Sequence, residues 1–180
     1  GKNILSEVKD FSNHIDYEAY YGGYLNNYFL ALFFPGVWNF EFIENFTFDM
    51  ESRDPGHGIH SESDDETYSG RKAYAKETAG GYYAARLPVI EFLRDRKRQG
   101  SVIVMRFITT DYYASMGVWV VRESVRKTLN QKPLVFGSKD LLLMYAKKLI
   151  QKKVKYDISH LLGKSKVLDE VGKQKRLQEF

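Results

Sequence analysis

Two apolar runs limit what this chain can fold into. Tyr28 to Phe34 is short, continuous and rich in aromatics. Ser101 to Thr109 reads Ser-Val-Ile-Val-Met-Arg-Phe-Ile-Thr, with a high share of β-branched side chains. Length and composition predict a buried strand in each case. Pro35-Gly36 is a turn signal. Beyond it, Trp38, Phe40 and Phe42 alternate with Asn39 and Glu41, the period of two that a strand imposes. A helix with Trp38, Phe42 and Phe46 on one face fits the same residues, and the hairpin is the preferred reading.

Helical patterns flank these strands. A helical stretch is expected from about Arg71 to Arg98, interrupted at Gly80-Gly81 and near Pro88, with Tyr83, Leu87 and Ile90 on one side. Val118, Val121, Val125 and Leu129 mark a second helix, on which Glu123 and Lys127 form an i, i+4 pair. Leu134 to Phe136 is a short strand, and Ser138 caps a further helix with Asp140 in its first turn. The first 24 residues are polar and tyrosine-rich, with Tyr20-Tyr21-Gly22-Gly23 read as a loop or turn. Strands alternating with helices predict an α+β (or α/β) domain: a mixed sheet of about 3–5 strands packed by about 3–5 helices. One globular domain is expected over 1–162, containing a long acidic loop at 49–69, followed by a flexible, charged tail at 163–180.

Charge is distributed unevenly. Between Glu41 and Glu66 there are nine acidic residues and one basic, whereas Gly137 to Phe180 holds eleven basic and five acidic. The net charge of +4 therefore conceals an acidic stretch and a basic end that suits an anionic partner. The chain has no cysteine, which removes disulfides, a thiol nucleophile and cysteine-ligated zinc, and fits a reducing cytoplasm. No apolar run approaches the ~18 residues of a membrane span, so no membrane partner is expected. The chain starts Gly1-Lys2-Asn3 with no initiator methionine, and is read as a fragment or a trimmed chain.

The last seven residues carry the sharpest motif: Gln174-Lys175-Arg176-Leu177-Gln178-Glu179-Phe180. Gln-x-x-Leu-x-x-aromatic resembles the box by which replication and repair proteins bind the sliding clamp PCNA. A 3₁₀ turn eclipses side chains at i and i+3, so Leu177 and Phe180 would form one two-pronged apolar plug. Gln174, one turn back, would hydrogen-bond a separate polar pocket. The usual box has two adjacent aromatics, and here the chain ends on the first.

Two further blocks are Gly70-Arg71-Lys72-Ala73-Tyr74-Ala75, continued by Gly80-Gly81-Tyr82-Tyr83-Ala84-Ala85-Arg86-Leu87, and Gly117-Val118-Trp119-Val120-Val121-Arg122-Glu123. With the terminal box, they resemble the C-terminal part of the archaeal Nre DNA-repair proteins, from about Leu30 to Phe180. The resemblance implies a DNA-damage-response protein that docks on PCNA and works on or near DNA. It also implies a longer protein with a cysteine-rich, zinc-finger-like N-terminal part, a further partner absent from this chain. No catalytic activity transfers with it, and the only cofactor considered within the chain is a divalent metal.

Residue types alone supply further candidates. Arg71, Lys72, Arg86, Arg122 and Arg126 are candidate phosphate contacts, with Arg122 and Arg126 on one helix face. Tyr82, Tyr83, Tyr112 and Tyr113 are candidates for stacking on unpaired bases. Gly80-Gly81 suits either backbone approach to a phosphate or a tight helix contact. His57, His60, Asp64 and Asp65, followed by Glu66, suit a divalent metal that could serve a nuclease or another nucleic-acid processing reaction.

Overall fold

In the computed structural model the described residues are 2–13, 16–24, 27–47, 60–109 and 117–178. In chain order the elements are α1 (Lys2–Lys9), β1 (Ser12–Asn13), β2 (Tyr17–Tyr24), β3 (Asn27–Phe34), β4 (Asn39–Phe46), β5 (His60–Glu66), α2 (Ala79–Asp95), β6 (Arg98–Gln99), β7 (Ser101–Ile108), α3 (Val118–Leu129), β8 (Leu134–Phe136), α4 (Lys139–Val154), α5 (Ser159–Lys164) and α6 (Lys166–Gln178).

The continuous apolar runs are explained by burial on both faces. β3 and β7 are the two central strands of a six-stranded sheet ordered β5-β4-β7-β3-β2-β8. Phe29, Ala31 and Phe33 of β3, with Val102 and Val104 of β7, pack toward α1, α2 and α3. Leu30, Leu32 and Phe34, with Ile103, Met105 and Phe107, pack toward α4, α5 and α6. All neighbouring strands in the sheet run antiparallel except β4 and β7, which are parallel with Phe46 opposite Ile108. β1 and β6 form a separate parallel pair. The chain is α+β as expected, with more strands and helices than the count read from its sequence.

Five expectations need correction. The strands on either side of Pro35-Gly36 are not a hairpin, because β7 lies between β3 and β4 and pairs with both. Tyr20-Tyr21-Gly22-Gly23 is strand, not loop: β2 pairs with β3 through Gly22 opposite Phe29. A β-carbon on Gly22 would stand 2.6 Å from Thr128 Oγ1, so glycine is what lets α3 lie close on β2. The acidic stretch is not loop throughout, because β5 occupies 60–66 and pairs with β4 along its whole length. Its polar alternation hides the strand from a hydrophobic pattern. Residues 71–78 are not helical, and α2 starts at Ala79 and runs through Pro88, which is buried within it. Finally, the expected tail is largely helix. α6 extends to Gln178, and Val167 and Val171 are buried in the core beneath the sheet.

Candidate functional site

The acidic stretch and the arginines singled out above meet each other. On β5 the alternation of side chains sends Asp64 and Glu66 toward the α2 face and Asp65 to the opposite face. Asp64 accepts from Arg71 Nη2 at 2.9 Å, Thr78 N at 2.8 Å, Thr78 Oγ1 at 3.0 Å and Lys76 N at 3.3 Å. Burial pushes its carboxyl up, but the bonds from Thr78 and the Arg71 charge outweigh this and hold it below its ordinary value. Arg71 also donates to Asp65 O at 2.6 Å and lies over the Tyr82 ring. Glu66 accepts from Arg86 Nε at 2.9 Å and from Trp38 Nε1 at 2.7 Å. Arg126 forks onto Glu91 from α3 to α2 and also reaches Glu123 at 2.6 Å.

Three of the five candidate phosphate contacts are therefore engaged in internal ion pairs. Arg71, Arg86 and Arg126 hold elements together, because carboxylates on the neighbouring strand and helix reach them first. The other two differ. Lys72 is exposed on the loop after β5. Arg122, on the α3 flank facing α2, has its Nε buried with no hydrogen-bond partner. Nearby Val118 and Trp119 are 50% and 58% exposed. The aromatic candidates divide as well. Tyr82 is fully buried, Tyr83 is half-buried with its hydroxyl accepting from Ala75 N, and Tyr112 and Tyr113 lie outside the described residues. Trp119, missed as a stacking candidate, is the more accessible ring. Gly80 serves a tight helix contact: a β-carbon there would meet Val118 Cγ1 at 2.8 Å.

The metal candidates do not converge. Asp64 and Asp65 face opposite ways, His60 is exposed and bonds Glu62 at 3.1 Å, and His57 lies outside the described residues. Among the described residues no three imidazoles or carboxylates are grouped as a metal site.

Sequence reasoning missed a buried polar cluster at the end of the sheet. Arg106 Nε donates to Asn27 Oδ1 at 2.8 Å and its Nη1 to Glu44 Oε1 at 2.7 Å. Burial raises the Glu44 carboxyl, opposed by the Arg106 charge. The available signal was one arginine inside the otherwise apolar run Val102 to Ile108. A buried cation needs a buried partner, and Glu44 stands opposite it on β4.

The C-terminal helix is fastened at both ends. Ser165 caps α6, its Oγ accepting from Leu168 N at 3.2 Å. Glu41, buried on β4, accepts from Ser165 Oγ at 2.5 Å and from Val167 N at 3.2 Å. Burial raises the Glu41 carboxyl, and the bonds from Ser165 and the α6 amides oppose the rise. Beside it, a cavity of about 230 Å³ is lined by Ile43, Ser61, Ser63, His160 and Lys164 among others. At the far end, Gln174 Oε1 accepts from Val37 N at 3.3 Å, in the turn between β3 and β4. The box residue Gln174 is thus seated on the body. Leu177 stands in the last turn of α6, and Phe180 lies outside the described residues.

Comparison with known proteins follows the same division of the chain. Residues 66–180 match the family model described as archaeal Nre, C-terminal, and residues 1–49 match archaeal Nre, N-terminal. The chain is therefore not confined to the C-terminal part, as its motifs alone implied. It is 38% identical over 127 residues to the DNA repair protein NreA of Haloferax volcanii, covering 70% of this chain and 30% of that protein. It is 55% identical over 75 residues to DNA repair protein NreA of Archaeoglobus fulgidus, 42% of this chain and 19% of that protein. To DNA repair protein NreB of the same organism it is 31% identical over 180 residues, 99% of this chain and 44% of that protein. The chain thus spans less than half the length of these curated relatives. No solved structure matches it. With its blocks at Gly80–Leu87 and Gly117–Glu123 and matches over both of its regions, the chain belongs to the archaeal Nre family.

Proposed function

We propose that this chain is part of a DNA repair protein that docks on the sliding clamp PCNA through Gln174, Leu177 and Phe180 and works on or near DNA. The observation that carries the reading is the order Gln-x-x-Leu-x-x-Phe over the last seven residues, beyond Val171, the last buried core residue described. The relatives named as DNA repair proteins support the setting. Burying Leu177 and Phe180 is worth roughly 1.5–3 kcal/mol each before ordering costs, so micromolar affinity is the expectation for one such box. Calorimetry of the chain with PCNA tests it. The intact chain should bind, and Leu177→Ala/Phe180→Ala should weaken binding at least about tenfold. Equal binding by both overturns the clamp assignment.

The DNA-facing part of the reading rests on Arg122, Lys72 and the exposed Trp119. A clamp-tethered domain gains effective concentration on DNA, so its own affinity can be low. Replacing Arg122 or Lys72 by Ala should reduce the salt slope of DNA binding by about 0.7–0.9 for each phosphate no longer neutralised, with little change in melting temperature. Arg71→Ala should do the reverse, because its partners are internal.

A further inference from the structure

We infer that Tyr74 is a stacking platform for an unpaired nucleobase, with Lys72 and Lys76 beside it as contacts for the flanking phosphates of single-stranded DNA. The inference rests on the reading above that the chain works on or near DNA. It adds the form of DNA and the ring that meets it.

Four observations carry it. First, the ring is open. Tyr74 is 65% exposed, more than any other large hydrophobic side chain described. Two other exposed tyrosines have a cation over the ring, Lys9 at 4.8 Å on Tyr68 and Lys127 at 5.4 Å on Tyr24. Tyr74 has none among the described residues. Second, the ring is braced from behind. Its centroid stands 4.7 Å from that of Tyr83, tilted by 34°. Tyr83 in turn meets the fully buried Tyr82 edge-on at 5.1 Å. The series runs from core to surface and leaves the outer face of Tyr74 free. Third, the backbone beneath the ring is fixed, although residues 71–78 belong to no helix or strand. Arg71 donates to Ala73 O at 3.2 Å and to Tyr74 O at 3.4 Å. Tyr83 Oη accepts from Ala75 N at 3.1 Å, and Asp64 accepts from Lys76 N at 3.3 Å. A ring already held in place costs little to order on binding. Fourth, the charge suits phosphates. Lys72 and Lys76 lie two residues to either side of Tyr74, both exposed and without an ion pair among the described residues. Arg71 is committed to Asp64, and Glu77 is the exposed carboxylate of the segment.

These features select a single strand over a duplex. In a duplex each base face is covered by its neighbours, and only base edges are reached through the grooves. An exposed ring can stack on a base only where that base is unpaired, and it does so with little regard to sequence.

The test is fluorescence anisotropy of the whole chain with a labelled oligothymidylate and a labelled duplex hairpin, each over a salt series. Tyr74→Ala should weaken binding of the single strand about five- to 150-fold while leaving its salt slope and the hairpin affinity unchanged. Tyr74→Phe keeps the ring and should stay within about twofold of the unaltered chain. Lys76→Ala should lower the salt slope for the single strand by about 0.7, and an unchanged slope removes Lys76 from the site. Thermal melts report whether each variant is folded. If Tyr74→Ala is not, Tyr74→Leu, which keeps an apolar contact with Tyr83 but no π face, decides by the same criterion. If the altered chain binds oligothymidylate as tightly as the unaltered one, or loses hairpin affinity equally, or if the unaltered chain binds only the hairpin, the platform is wrong and the DNA reading stands. If the unaltered chain binds neither form at low salt, the DNA reading fails and the platform fails with it.

Discussion

Asp64 shows how one side chain can look catalytic in sequence and prove structural in the fold. It lies in an acidic, histidine-containing stretch, yet four donors from Arg71, Lys76 and Thr78 converge on it. Those bonds shape the 71–78 segment into the approach to α2. Because its folded pKa lies below the ordinary 3.8, its contribution to stability is complete above that value and is lost as pH falls through the depressed one. The melting temperature should therefore drop in that acid window. Asp64→Asn should cost about 1–3 kcal/mol near neutral pH, because the charge is lost and the amide nitrogen must face donors on one side, either Arg71 and Lys76 or Thr78. It should also flatten the acid drop, as thermal melts at about pH 3 and about pH 7 will show. At this scale the sequence is least informative about pairing. Arg71 and Arg86 differ from Arg122 only in whether a carboxylate on β5 reaches them, and no local pattern encodes that.

At the scale of elements, legibility follows hydrophobic contrast. β3, β7, α3 and β8 are readable because their apolar periods are clean, and the Ser138 cap is present, its Oγ accepting from Leu141 N. β5 is not, since its inward positions are carboxylates whose burial depends on arginines elsewhere. β2 reads as a turn because Gly22 and Gly23 carry that signature, although here glycine serves α3's close approach. α6 reads as a tail because its apolar residues are sparse, Val167, Leu168 and Val171, and its other holds, Glu41 and Val37, are distant in sequence. That glutamate gives a prediction. Burial raises the Glu41 carboxyl above 4.5, so the folded state favours its protonated form and the docking of α6 strengthens as pH falls through the raised value. Glu41→Gln keeps an acceptor for Ser165 and Val167 and removes the buried charge. It should leave the neutral-pH melting temperature unchanged or higher and abolish that pH dependence. Glu41→Ala strands both donors and should cost about 1–3 kcal/mol, with faster hydrogen exchange along α6.

At the scale of the molecule, the two family regions share one sheet. β2, β3 and β4 come from the residues matched by the N-terminal model, and β7 of the C-terminal region lies between β3 and β4. Neither region has a core alone, because Phe29, Phe33, Phe40 and Phe42 pack in one cluster with Val89, Ile90, Val102 and Val104. Residues 66–180 produced alone should lack the dispersed amide spectrum of a folded protein. Mixing them with residues 1–65, which carry β2 to β5, should restore it; independent folding of 66–180 would contradict the shared core. The central position of β7 also matters during synthesis. β3 and β4 are neighbours in the chain but not in the sheet, and the strand that separates them leaves the ribosome later. At roughly 5–20 residues per second, two bare aromatic strand edges wait on the order of several seconds for their partner. A nascent chain held in that state is a substrate for chaperones and for pairing with its neighbours on the same message.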